Sequence, residues 1–318
     1  MTTRYTPLFL ALSLAWGATP LQGTAQESSV KPDQQVGTTS VIAAEETADK
    51  ETVLKQVRVT ASADASAKGL SEPYAGDQVA RGSRVGFLGT QDFMDTPFST
   101  TAYTSDLVKS QQAKSVGDVL QNDPTIRTSR GYGNFQELYI IRGFPVPSDD
   151  LTYNGLPGIL PRQYVSTELI ERVEVLRGAT AFVNGGVGLA SGFGVGGLVN
   201  ALPKRAPSED IRSATLSLEG SSRVGVSADL SSRFGDTKAT GMRLNIGKRS
   251  GEGSVENEDL SLDTAHIGMD WRSSKARISA DVGHQDFRID QPRPSVTPHS
   301  SGIPTAPDAS KNFAQPWT

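Results

Sequence analysis

The chain has 318 residues, no cysteine, three histidines and a formal net charge of −4 from 31 basic and 35 acidic side chains. That composition excludes a disulfide framework, a thiolate metal site and a thiol nucleophile, and the mixed charge leaves no basic footprint for nucleic acid. His266, His284 and His299 show no metal-ligand spacing.

Arg4 leads into the apolar run Pro7 to Trp16, followed by small residues at Gly23 and Ala25. A charged start, a short apolar stretch and a small-x-small exit predict a secretory signal peptide over 1–25, too short to span a bilayer. No later run approaches the ~18 apolar residues of a membrane helix, so a membrane location would require strands. Residues 26–52 are polar and lack aromatics, the composition of a flexible tail that cannot offset its ordering entropy. Next, Val53, Lys55, Val57 and Val59 alternate with Leu54, Gln56, Arg58 and Thr60, a short extended segment. It reads either as the first strand of the following domain or as a strand offered to another protein's sheet edge.

Residues 74–206 predict a mixed α/β domain. "TSDLVKSQQ" and "SVGDVLQND" read as two short helices with Ser105 and Ser115 as N-caps, and Ser115 with Asp118 forms a capping-box pattern. Strands are expected through Leu138–Ile141 and Val173–Leu176, separated by a long Pro-, Gly- and Asp-rich loop. Within the glycine-crowded stretch Gly178 to Gly197, Gly192, Gly194 and Gly197 spell GxGxxG. A phosphate-binding loop would open a helix and be trailed by an acid about twenty residues on. Pro203 closes any helix almost at once, so the glycines are expected to serve tight turns and close backbone approach.

Beyond Pro207 the texture changes. Five segments between Ala214 and Val282 alternate apolar and polar residues at period two, giving each strand one wet and one apolar face. A half-exposed soluble sheet alternates the same way. Short links at Phe234–Thr237 and Arg272–Lys275, long ones after Ser250 and Gln291, and Trp271 at a strand end favour an outer-membrane barrel with periplasmic turns and external loops. "GSSR" (Gly220 to Arg223) is a short external link, against that pattern. The expected fold is therefore a mixed α/β plug domain followed by about five antiparallel strands of an incomplete transmembrane β-barrel.

Five motifs in one order carry a resemblance: "LKQVRVTA" (Leu54 to Ala61), "YIIRGF" (Tyr139 to Phe144), "YNGLP" (Tyr153 to Pro157), "IERVEVLRGA" (Ile170 to Ala179) and "GVGGLVNALPKRA" (Gly194 to Ala206). Over roughly residues 53–290 the chain resembles the N-terminal part of the TonB-dependent outer-membrane receptors, most closely those for siderophores. The resemblance implies a TonB box with Leu54, Val57, Val59, Thr60 and Ala61 as its contacts, inside a periplasmic tail of 26–73. It implies a plug over 74–206 and the start of a barrel over 207–318. Arg142 and Arg177 would lock plug to barrel, with Glu171 and Glu174 as local partners and further glutamates on strands outside this chain. Phe144, Tyr153, Arg162, Gln163 and Tyr164 are the candidates for touching an external ferric siderophore, since aromatic and basic groups suit a large anionic chelate.

The implied partners are TonB, the siderophore and outer-membrane lipid. No cofactor is expected, because the iron arrives already chelated, and no enzyme is expected: Asp149–Asp150 reads as a turn. Other cargoes (cobalamin, a sugar chelate) and a soluble periplasmic plug-like module are the alternatives. Residues 26–52 leave no room for the signalling domain that some of these receptors carry. Five strands cannot close a barrel of about 22, so a fragment or truncated product is expected.

Overall fold

The computed structural model describes residues 8–16 (backbone only), 69–131, 136–180, 183, 195–220, 222–253, 255–292, 302, 308 and 310–312. The expected TonB box, and Gly192 and Gly194 of the GxGxxG pattern, lie outside them. The first strand is β1 (Leu8–Trp16). The α/β domain contains β2 (Val79–Ala80), β3 (Gly82–Arg84), β4 (Thr90–Asp92), β5 (Ser99–Thr104), α1 (Ser105–Ser110) and α2 (Val116–Leu120). It continues with β6 (Ile126–Arg130), β7 (Leu138–Ile141), β8 (Phe144–Pro147), β9 (Thr152–Tyr153), β10 (Leu156–Pro157), β11 (Ile170–Arg177) and β12 (Gly197–Pro203). Five long strands follow: β13 (Ile211–Glu219), β14 (Arg223–Phe234), β15 (Thr240–Glu252), β16 (Asp259–Arg272) and β17 (Ala276–Asp290).

The central sheet runs β10-β9-β12-β11-β5-β2, with a smaller β6-β7-β8 sheet beside it. The residues of β11 and β12 are almost all buried, although β11 carries Glu171, Arg172, Glu174 and Arg177 among its apolar residues. Helices α1 and α2 lay Leu107, Val108, Val116, Val119 and Leu120 onto the core shared with Tyr139, Val173 and Val199. Helix α2 begins with the expected capping box of Ser115 and Asp118. Helix α1 is capped one residue earlier than expected: Thr104 Oγ1 accepts from Leu107 N at 3.4 Å, which frees Ser105 Oγ to reach Glu171 Oε1 at 3.1 Å. The expected loop between Pro145 and Ser166 carries a 3₁₀ turn at Ser148–Asp150, β9, which pairs with β12, and β10, which pairs with β9.

Gly197 sits at φ +150°, and a Cβ there would lie 2.4 Å from the Leu176 carbonyl oxygen. The glycine thus lets β12 close onto β11, which is the architectural role expected of it. Gly197→Ala is expected to destabilise the domain by about 1–3 kcal/mol, read as a lowered denaturant midpoint.

Glu137 is buried against α2 and accepts a hydrogen bond from Tyr139 Oη. Burial pushes its carboxyl up to about 7, the Tyr139 hydroxyl pulls it partly back, and Asp118 adds to the rise. The folded state therefore holds a proton that the unfolded chain gives up near the ordinary carboxylate pKa. Stability from this group is present at low pH, falls as pH rises from about 4.5 through 7, and is flat above. Glu137→Gln is expected to remove roughly 3 kcal/mol of that pH dependence relative to the parent chain, measured by urea unfolding at pH 4.5 and 7.5.

Strands β13–β17 form an antiparallel meander, each paired to the next over nine or more residues. The run expected to be a signal-peptide core, β1, lies antiparallel to β17 from Leu8↔His284 to Trp16↔Ala276. A free strand edge presents a row of unpaired backbone groups that an extended neighbour satisfies. Among the described residues no helix is long and apolar enough to cross a membrane, which says nothing of crossing by strands.

Candidate functional site: the plug–wall interface

Period two decides what the wall offers. Outward positions carry Leu218, Val226, Leu230, Met242, Ile267 and Trp271, all substantially exposed. Inward positions carry Arg233, Arg243, Arg249, His266, Asp270 and Asp281, all buried. An apolar outer band over a charged inner face is the inverse of a soluble sheet and matches a wall between lipid and a polar lumen. The α/β domain covers that inner face.

One contact is made by the segment Lys204–Arg205–Ala206, which lies between Pro203 and Pro207. Arg205 forks onto Asp281 of β17, with Nη2 to Oδ2 at 2.5 Å and a second bond from Nη1 to Oδ1. His266 Nε2 lies 3.0 Å from Asp281 Oδ1 and 2.9 Å from Tyr153 Oη, so β9, β16 and β17 share one network. Gly268 makes the approach possible: a Cβ there would meet Lys204 O and Arg205 Nη1, each at 2.9 Å. Lys204 Nζ is 3.5 Å from Asp229, and burial lowers its pKa while Asp229 opposes that. Arg243 bridges Asp229 (2.7 Å) and Glu171 (3.2 Å).

Further along the wall, Arg249 pairs with Glu168 at 2.7 Å and donates to Tyr164 Oη at 3.2 Å. Tyr164 Oη donates to Lys114 O at 2.6 Å, and its ring stacks on Phe287 with centroids 4.3 Å apart. Lys114 Nζ reaches Glu219 at 2.5 Å. Charge pairs and hydrogen bonds of this kind can rearrange without exposing a large apolar area.

The expected lock residues are distributed differently. Glu171 does face the wall, through Arg243. Glu174 is buried inside the plug, where it accepts from Asn200 Nδ2 and Arg84 N, each at 2.9 Å. Arg177 is bound to Asp123, to Thr125 (3.0 Å) and to Thr101 (2.8 Å), all within the plug. Burial raises the Asp123 carboxyl, but hydrogen bonds from Thr125 and Arg177 outweigh it and leave the pKa lowered. Arg142 is exposed at the tip of the β7–β8 hairpin at φ +52°.

Glu171 and Glu174 are therefore not the partners of Arg142 and Arg177. Strand geometry is the reason. Six residues of extended chain put Glu171 about 20 Å from Arg177, and a three-residue spacing puts Glu174 and Arg177 on opposite faces.

The five ligand candidates are not gathered in one place. Tyr153 and Tyr164 are 4% and 2% exposed and serve the plug–wall contact, which corrects their assignment to an external surface. Their side chains are consumed by His266 and by Phe287 and Lys114. Arg162 and Gln163 are exposed, and Arg162 pairs with Asp149 at 3.1 Å beside Gln136, which donates to Asp149 at 3.3 Å. Phe144 is 47% exposed at the hairpin tip beside Arg142, a strand's length from Ser148, whose hydroxyl bonds Arg162 O. Lys114, Lys204, Arg205, Asp229, His266 and Asp281 went unpredicted. The available signal was "PKR" between two prolines, with charges at the wet positions of the strands. Among the described residues no group of three or more metal-ligating side chains converges.

Fold and interface together define a plug seated against the inner wall of an unclosed membrane β-barrel. Residues 92–191 match the family model of the TonB-dependent Receptor Plug Domain. The chain is 41% identical over 245 residues to the ferrichrome receptor FcuA of Yersinia enterocolitica, covering 77% of this chain and 32% of that protein. It is 30% identical over 147 residues to the ferric-pyoverdine BN7/BN8 receptor of Pseudomonas putida, covering 45% and 17%. Among solved structures, BauA, the ferric preacinetobactin receptor of Acinetobacter baumannii, superposes with a TM-score of 0.72 at 35% identity, over 77% of this chain and 36% of that one. FpvA of Pseudomonas aeruginosa bound to pyoverdine shares the fold at a TM-score of 0.63 and 19% identity. The chain belongs to the TonB-dependent receptors, and it spans about a third or less of the length of the curated relatives it matches.

Proposed function

We propose that the chain serves TonB-dependent uptake of a ferric siderophore across an outer membrane. The observation that carries this is the 41% identity to a ferrichrome receptor over a stretch that includes both plug and wall strands. The polar plug–wall interface supports it, because a plug that must shift and return needs bonds that exchange readily. In this reading the energy comes from the inner-membrane proton gradient through TonB, which pairs by strand addition with Leu54, Val57, Val59, Thr60 and Ala61 in the periplasm. The siderophore is received on the opposite face, where Arg162 and Gln163 are exposed, with Phe144 as a further candidate. Iron travels as the chelate's cargo, no resident cofactor is needed, and the chain carries out no catalysis. Lipid meets the outward band that ends at Trp271.

The test is uptake of radioactive iron supplied as ferrichrome in native cells with the receptor gene intact or deleted. Uptake that needs both the gene and TonB supports the proposal; uptake unaffected by deletion refutes it. Arg162→Ala is expected to weaken retention of ferrichrome by cells severalfold, about 1 kcal/mol, if its guanidinium contacts the chelate. A binding isotherm on chilled cells reads this directly.

A further inference from the structure

The two ends of the wall carry opposite charge. At the end with the long links, the outward positions of β16 and β17 hold Asp259, Asp263, Asp286 and Asp290 against Arg288, and Lys248 of β15 is bonded to Asp263 at 2.9 Å. At the other end, Lys238, Arg272, Lys275 and Arg277 gather at the β14–β15 and β16–β17 turns, and Asp236 is the one acid within those turns. The two turns touch: Arg272 N donates to Ala239 O at 3.0 Å. Their backbones are fixed from within. Arg233 donates to Lys238 O at 2.8 Å and to Ala239 O at 3.1 Å, and Ser273 Oγ accepts from Lys275 N at 3.2 Å.

This basic cluster is short of counter-charge. Arg272 and Arg277 stand directly opposite each other across β16 and β17, where like charges repel. Arg233 repels Arg272 as well. Asp270 acts on both Arg233 and Arg272 but is bonded to Arg233, at 2.6 and 3.2 Å. Among the described residues no ion pair is made by Lys238, Arg272 or Lys275. Next to the cluster, Phe234, Thr240, Trp271 and Ile278 form one cross-strand row on the outward face. Phe234 and Trp271 are 52% and 43% exposed. Exposed aromatic rings at strand ends mark the depth at which acyl chains give way to headgroups. The cations therefore lie at headgroup level, with the apolar band directly behind them.

We propose that these two turns bind the headgroup phosphate of an anionic phospholipid in the periplasmic leaflet, held by Lys238 and Lys275 while its acyl chains lie against Trp271 and Phe234. The site goes beyond the uptake reading and needs only the wall. Arg272 and Arg277, on the lumen side of the last strand pair, add to the field without touching the lipid. Charge selects the ligand. A zwitterionic headgroup brings its own cation, which the cluster repels, whereas an anionic phosphodiester supplies the missing counter-ion. Lysine stems reach it by lying along the apolar row. A soluble phosphate would gain the charge contacts and leave that row bare, which favours the lipid.

The test uses the whole receptor, purified from outer membranes in mild detergent and titrated with phosphatidylglycerol or phosphatidylethanolamine, with bound lipid counted by native mass spectrometry. The parent is expected to bind phosphatidylglycerol about tenfold or more tighter, and Lys238→Gln with Lys275→Gln to cut that preference to about twofold or less. Lys275→Gln alone, expected to lose about threefold, serves if the double variant assembles poorly. Lys238→Arg with Lys275→Arg keeps the charge and should keep the preference, which separates loss of the site from loss of the fold. Equal binding of the two lipids by the parent, or an unchanged preference in the Gln variants, overturns the site. Displacement of phosphatidylglycerol by inorganic phosphate at equal concentration overturns the lipid assignment. Ser274→Cys, in the β16–β17 turn, checks the leaflet. It should resist a membrane-impermeant maleimide on intact cells and react once the outer membrane is opened. Reaction on intact cells would place the turns outside and overturn the proposal.

Discussion

Deletion of Leu54–Ala61 is expected to abolish energised uptake while leaving siderophore binding within about twofold of the parent. The two functions separate because the proposed reading assigns them to different parts of the chain. It assigns binding to the external face of the plug, among the described residues from 69 onward. It assigns coupling to residues outside the described ones, by backbone pairing with another protein's sheet edge. Val57 and Val59 share one side of such a strand and Arg58 and Thr60 the other, so main-chain bonds supply affinity and alternate side chains supply selectivity. A finer variant checks the mode of pairing. Val57→Pro removes a backbone donor and should reduce uptake about as far as deletion, whereas Val57→Thr keeps a β-branched residue and should retain most of it. Equal loss of binding and uptake on deletion would overturn the assignment.

Arg205→Ala is expected to destabilise the plug's attachment by about 3–5 kcal/mol, the largest effect of any single side chain in the interface. Arg205 and Asp281 are both nearly inaccessible to solvent, with side chains 6% exposed each. Removing the guanidinium strands a buried carboxylate whose remaining neighbours include His266 and Tyr153. Arg205→Lys should recover only part of the loss, since an ammonium cannot make the two parallel bonds of a fork. Replacing both partners by apolar residues of similar volume should be much milder than Arg205→Ala alone, because it leaves no orphaned charge. The readout is protease sensitivity of the plug in detergent-solubilised receptor, followed against urea. An Arg205→Ala receptor as resistant as the parent would show that attachment lies elsewhere.

Local chemistry made much of this chain legible in advance. Apolar–polar alternation placed the five wall strands, and with it the difference between their lipid and lumen faces. Ser115 with Asp118 placed the start of α2, and Pro203 removed the dinucleotide reading of the GxGxxG stretch by closing off a following helix. In each case the deciding interaction lies within a few residues along the chain or repeats with the period of the element.

What the sequence by itself could not determine was which side chains meet across the plug–wall gap. Arg177 is a motif arginine, yet its partner is Asp123, more than fifty positions away in the turn between α2 and β6. Tyr153 and Tyr164 look like ligand groups in a polar loop, but the wall covers them. Arg205 stands out in the sequence only through its place in "PKRAP", and its partner Asp281 is supplied by β17. Long-range partners are set by how two surfaces are juxtaposed in space, and a one-dimensional pattern records the face on which a residue lies without recording what lies opposite it.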